Sequence, residues 1–240
     1  ESDGFLSLGL RPSPAQRFSF STVLRKSERT DYPSLPMDSD WDRDRMYSAS
    51  YRYRPAGGRG RLASVEARFG FAPIDHLMSN RRKPTWSIMQ SESRSSADSR
   101  SGSVSATWFM WRGATLSAGA DFTGVDRDAL RSRRMTMTGM TSFDHLWPDA
   151  SQDDRGVFVE HSVAAPGGWR IRAGARYDRV ASAAAAADDP GLAGRTVRQN
   201  YVWFYGPEAA DTGRFETTLS GNVLAGKDLT PRVTLEAGIG

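Results

Sequence analysis

Two-residue periodicity is the feature that most restricts this chain. From residue 5 onward, runs of roughly ten residues alternate apolar with polar side chains. Trp169, Ile171, Ala173, Ala175 and Tyr177 stand against Arg170, Arg172, Gly174, Arg176 and Asp178. Phe18, Phe20, Thr22 and Leu24 oppose Arg17, Ser19, Ser21 and Arg25 in the same way, and Ala63, Val65, Ala67, Phe69 and Phe71 oppose Ser64, Glu66, Arg68 and Gly70. A pleated strand points successive side chains to opposite faces, so each run has one apolar face and one wet face.

The runs are joined alternately by short and long connections. The short ones are Arg11–Gln16, Pro55–Gly60, Arg112–Ala114, Pro166–Gly168 and Gly226–Pro231; the long ones are Glu28–Arg43, Pro73–Arg100, Gly124–Asp153 and Ala181–Thr212. In an up-and-down meander this places every short turn at one end and every long loop at the other, as in bacterial outer-membrane barrels. About ten strand segments result, with no helical period of useful length. A soluble β-sandwich is the competing architecture, a secreted module binding a partner through its loops. It rarely needs four long loops at one end, and its buried face needs closer packing than the thin Ala- and Val-rich parity offers. The expected fold is therefore all-β: an antiparallel transmembrane β-barrel wall, read as one domain over 1–240. Trp111 before one short turn and Trp169 after another suit an aromatic girdle at the membrane–water boundary.

Composition removes other classes. Only 38% of the 240 residues are hydrophobic, and no apolar run reaches the length of about 18 residues that a spanning helix needs. Barrel strands show lipid only every second residue, so they stay inconspicuous by that measure. With no cysteine, the chain has no disulfide or thiolate metal site. The net charge of +4 is spread along the chain without a basic block, which speaks against nucleic acid. No Gly-x-Ser-x-Gly elbow, His-Glu-x-x-His helix or phosphate loop is present, so no enzyme is expected. Pairs such as Arg176 with Asp178 read as ion pairs lining the wet face. Ser91–Ser105 reads as a mobile Ser-rich stretch, and Ala181–Ala187 as a low-complexity run within a loop. The chain starts without an initiator Met or signal peptide and stops within an alternation, which suggests a piece of a longer protein.

Methionine is misplaced by ordinary standards. Six of the eight methionines lie in the long connections: Met37, Met78, Met89, Met135, Met137 and Met140. Met usually fills apolar cores. His76 and Met78, two residues apart, share a face if extended, and so do Met135 and Met137. Thioether and imidazole ligands suit Cu(I) better than oxygen-seeking ions. Packing of these methionines against one another or the wall is the alternative.

Gly174-Ala175-Arg176-Tyr177-Asp178, after Gly156-Val157-Phe158-Val159-Glu160, resembles the recurring barrel pattern of TonB-dependent outer-membrane receptors. Asp31-Tyr32-Pro33-Ser34-Leu35-Pro36-Met37-Asp38-Ser39, Asp75-His76-Leu77-Met78-Ser79-Asn80 and Trp147-Pro148-Asp149 are similar to the copper receptor subfamily. The resemblance implies a barrel of about 22 strands closed by a plug domain. It implies copper as cargo, outer-membrane lipid as surroundings and TonB as partner through a plug absent from this chain. In that subfamily the metal lies between a plug Cys-x-x-x-Met motif and a barrel His-x-Met motif. The barrel half corresponds to His76 and Met78; the plug half has no counterpart here. Met135, Met137 and Met140 are a secondary expectation as guides for the ion. Two other barrels remain open: a siderophore or metal-chelate receptor using Tyr201, Trp203, Phe204 and Tyr205, and a plugless porin or adhesin.

Overall fold

In the computed structural model, residues 1–55 and 61–240 are described. They form one antiparallel sheet of ten strands whose spatial order is the chain order. The strands are β1 Ser2–Ser13, β2 Gln16–Thr30, β3 Asp38–Tyr53, β4 Leu62–Ser79, β5 Met89–Trp111, β6 Ala114–Met135, β7 Thr141–Ala165, β8 Trp169–Ala184, β9 Gly213–Thr230 and β10 Val233–Ile239. One short helix, α1 (Val197–Tyr205), follows a Thr196–Gln199 capping box in the connection 185–212. No described helix is long and apolar enough to cross a membrane.

Directly paired residues on adjacent strands share a face, so the ladders carry the sequence parity across the sheet. One row runs Leu8, Phe20, Ala49, Phe69, Gly102 and Phe122. Another joins Ala120, Val157, Tyr177 and Leu219. This is the outer, apolar face. The opposite face carries Ser19, Ser50, Arg68, Ser103, Asp121, Gly156 and Asp178 in register. Its polar groups pair laterally: Ser19 with Ser50 at 2.6 Å, Ser21 with Ser48 at 2.7 Å and Thr107 with Ser117 at 2.9 Å.

The apolar outer face has a definite height. On β8 it runs from Trp169 to Tyr177, on β6 from Ala114 to Phe122 and on β4 from Ala63 to Phe71. Each stretch covers roughly 27 Å of strand, or roughly 20 Å of membrane depth at a tilt of about 40°. Trp111 and Trp169 sit at its short-turn edge. An irregularity between Phe109 and Trp111 brings Trp111 opposite Ala114, where its ring lies 5.3 Å from that of His161. Tyr47 and Phe71 stack at 6.3 Å at the other edge. Beyond that edge the outer face becomes charged. Arg45 pairs with Asp75 at 2.8 Å, and Arg100 with Asp126 at 3.1 Å and Asp153 at 3.3 Å.

Several expected boundaries are therefore corrected. The strands continue past the apolar belt, and the long connections shrink to 31–37, 80–88, 136–140 and 185–212. Ser91–Ser105, expected to be mobile, lies within β5, paired on both sides from Glu92 onward. Ala181–Ala184 completes β8, and only Ala185–Asp188 turns as a 3-10 helix. The alternation stops at the belt because both faces beyond it meet water, while the backbone ladder needs no apolar side chain to persist. The last short connection, expected over Gly226–Pro231, narrows to Pro231-Arg232, since Lys227 still pairs with Leu235 and Asp228 with Thr234. Of the expected turn Pro55–Gly60, residues 56–60 lie outside the described residues.

The Gly-x-Arg-Tyr-Asp stretch acquires a physical role. Arg176 donates two bonds to Asp121 at 2.7 and 2.8 Å and two to Asp178 at 2.8 and 3.0 Å. Gly156 makes the space: a Cβ there would lie 2.1 Å from an Arg176 guanidinium nitrogen. On the outer face Gly102 does the same for Phe122, whose ring lies 2.3 Å from where a Cβ would be.

These faces give contrasting expectations in the intact barrel. Ala173→Arg, at the centre of the belt, should cost about 2–4 kcal/mol of barrel stability, whereas Arg172→Ala, on the wet face, should change it by less than about 1 kcal/mol. Loss of the heat-modifiable folded band on gel electrophoresis against denaturant reads both; equal effects would reverse the face assignment. Gly156→Val should lower stability by displacing Arg176 from Asp121, detectable in the same assay.

Candidate functional site

The belt's loop-side edge leads to a polar cluster built by β2 to β5. His76 lies on β4, about five residues beyond Phe71 and so roughly 16 Å further along the strand. His76 and Met78 are thus in a strand, a correction to their expected place in a loop. They do share a face, and it is the inner one. His76 pairs with Asp42 on β3 and Ser95 on β5; Met78 pairs with Ser39 and Ser93. Ser39 is fully buried and Ser93 nearly so.

The register between β3 and β4 slips between Ser39 and Trp41, leaving Asp40 as the extra residue. A bulge of this kind reverses parity on one side. Ser39 would otherwise face outward; instead it joins Asp42 on the inner face. Its hydroxyl donates to Asp42 Oδ2 at 2.6 Å, and that of Ser27 donates to the same oxygen at 3.2 Å. Asp42 Oδ1 contacts His76 Nδ1. Burial pushes the His76 imidazole below its ordinary pKa, toward the neutral form that binds metals.

Above this cluster the connections 31–37 and 80–88 are tied together. Lys83 Nζ lies 2.7 Å from Asp38 and donates to the Tyr32 carbonyl at 2.8 Å. The Tyr32 amide donates to Asp38 at 2.8 Å. Arg82 reaches Asp31 at 3.0 Å, Asp40 at 3.3 Å and the Ser39 carbonyl at 3.0 Å. The buried Asn80 side chain donates to the Met89 carbonyl and Thr85 and accepts from the Ser91 amide. The Asp-Tyr-Pro stretch and the residues after His-x-Met are therefore two halves of one clasp. The Lys83 ammonium and the Tyr32 N–H hold Asp38 below the usual carboxylate range.

The remaining methionines are not brought to His76. Met135 ends β6 opposite Met89, four residues beyond the row containing Met78, Ser93 and Arg131, or roughly 13 Å further along the strand. Residues 136–140 turn instead of extending: the Gly139 amide donates to the Met135 carbonyl, and the Met135 amide to the Met140 carbonyl. Met137 is 93% and Met140 71% exposed, so neither fills a core. Among the described residues no group of three or more His, Cys, Asp or Glu forms a metal cage. In 185–212, Arg198 grips Asp188 at 2.8 and 2.9 Å, holding that carboxyl low, and α1 presents Trp203, Phe204 and Tyr205 exposed. Sequence reasoning missed Asp42, Ser27 and Ser39; nothing in their spacing announces the bulge.

The strand arrangement is shared with known structures. The copper transporter OprC superposes with a TM-score of 0.74 and 23% identity, over 98% of this chain and 36% of that one. The ferric yersiniabactin uptake receptor FyuA from Yersinia pestis gives 0.61 and 10% identity, over 98% of this chain and 36% of that one. The ferric citrate transporter FecA gives 0.59 and 12%, over 98% and 35%. The chain spans about a third of the length of each. The fold is accordingly the one these transporters and this uptake receptor share over that third of their length: an antiparallel meander of ten barrel strands. No protein-family model matches the chain. No curated protein matches it either.

The clasp gives a pH expectation. Asp38 has a folded-state pKa below its unfolded one, so its contribution is complete above the ordinary Asp value of about 3.9 and is lost as pH falls from there through the lowered value. Relative to pH 6, the Tyr32 amide in the intact barrel should progressively lose hydrogen-exchange protection as pH falls below about 3.9, and Asp38→Ala should lower that protection already at pH 6. Equal protection in wild type and Asp38→Ala at pH 6 would show that Asp38 does not hold the loop.

Proposed function

We propose that this chain is part of the barrel of an outer-membrane TonB-dependent receptor that takes up copper, with His76 and Met78 as the barrel's share of the capture site. The observation that carries this reading is the placement of one imidazole and one thioether two residues apart on the inner face, above the membrane belt and below a closed clasp. A neutral imidazole and a thioether form a soft ligand pair that favours Cu(I). Two ligands leave a coordination sphere open. The rest would come from the plug, and its Cys-x-x-x-Met motif is the expectation there.

In this reading the long connections face outward from the cell and the short turns face the periplasm. Met137 and Met140, exposed at the outer rim, would offer weak thioether contacts to an ion before it reaches His76, with Met135 and Met89 beneath them. TonB would act through the plug to release the ion inward. Capture would be by coordination alone, with no group transferred to or from the cargo.

The exposed aromatic residues of α1 favour a second reading, in which the same barrel takes an organic metal chelate. Trp203 and Phe204 meet edge-on at 4.6 Å, and Arg195 lies 5.0 Å from the Trp203 ring, a cationic and aromatic surface suited to a planar anionic chelate.

Cu(I) titration of the intact receptor against a competing chelator separates the two. His76→Ala and Met78→Ala should each weaken Cu(I) by at least about tenfold, or about 1.4 kcal/mol. Unchanged affinity in both removes the site assignment. Chelate binding that survives both changes and fails in Trp203→Ala would favour the second reading.

A further inference from the structure

The copper reading uses two side chains of the inner-face cluster and leaves three polar ones without a role. Asp42 is the centre of these. Both hydroxyls that reach it, from Ser39 at 2.6 Å and Ser27 at 3.2 Å, donate to Oδ2. Oδ1 is left for His76 Nδ1. The contact follows from backbone register, because Asp42 and His76 are direct cross-strand partners. Ser39 reaches Asp42 only because the bulge at Asp40 turns it inward, and it is 0% exposed. A carboxylate holding two hydroxyl donors on one oxygen acts as an acceptor on the other. It therefore selects the imidazole tautomer whose proton is on Nδ1.

We infer that Asp42 is a positioning residue: anchored by Ser27 and Ser39, it fixes His76 with Nδ1–H donated to the carboxylate and the Nε2 lone pair presented to a soft cation on the inner face. The inference rests on His76 being a ligand. A carboxylate on the far nitrogen orients a ligating imidazole and raises its basicity, and losing such a partner typically lowers metal affinity by about 10- to 100-fold. Asp75 provides the contrast. It adjoins His76 in sequence but lies on the outer face, paired with Arg45 at 2.8 Å.

The test uses the intact receptor in detergent, with 15N-labelled histidine and the His76 signals assigned from a His76→Gln spectrum. In metal-free wild type at mildly alkaline pH, the ring should be the Nδ1–H tautomer. Asp42→Asn removes the charge and introduces an amide donor, so the Nε2–H form should gain population. In competition titrations its affinity for Cu(I) should fall about 10- to 100-fold. Asp75→Asn should change neither. An Nε2–H tautomer in wild type overturns the inference without any variant having to fold. A loss of Cu(I) affinity in Asp42→Asn with an unchanged tautomer also overturns it, since that is the signature of mere structural damage. If His76→Ala leaves Cu(I) affinity intact, the copper reading fails instead, and the tautomer comparison still decides whether Asp42 sets the ring.

Discussion

The fold depends on complete backbone pairing beside a face that meets hydrocarbon. Within a bilayer an unpaired N–H or C=O costs several kcal/mol, so a spanning strand must bond to neighbours on both sides. The ladders from β1 through β10 supply those bonds for every interior strand. Once pairing is fixed, the pleat decides the rest. Residues in register share a face, and a shift by one residue would drive Arg172, Arg176 and Asp178 into lipid. The Arg176–Asp121–Asp178 network, seated against Gly156, adds a directional lock on the inner side. β1 and β10 each have one ladder here, and their free edges are where further barrel wall would join.

Above the belt the constraint changes. Both faces meet water there, so side chains are released from alternation and can build polar constellations on a rigid ladder. The clasp of Arg82 and Lys83 with Asp31, Asp38 and Asp40 closes two connections over the inner cluster. A site on strands is held more firmly than one on loops. His76 and Met78 gain this rigidity from β4, with β3 and β5 on either side, whereas Met137 and Met140 stay exposed in a turn. The two sets of methionines therefore differ physically: one is fixed beneath a clasp, the other free at the rim.

Much of this was legible from residue order. The parity of Trp169–Tyr177 and Ala63–Phe71 located belt strands, and the alternation of short and long joints gave the meander. The strand ends were not legible. Ser91–Ser105 is polar apart from Ala97, Gly102 and Val104 and reads as loose chain, yet from Glu92 onward it is paired on both sides. The shared face of His76 and Met78 followed from their spacing. Their Asp42–Ser39 support did not, because a bulge leaves no mark in composition.

What the residue order determined by itself was which side chains share a face, since a strand's period of two needs no knowledge of neighbours. It also set the broad sense of the meander, through turn residues and joint lengths. Tertiary structure decided how far each strand runs and which residues meet across strands. Those outcomes depend on inter-strand hydrogen bonding and on one extra residue at Asp40, and cross-strand register is a relation between segments distant in sequence.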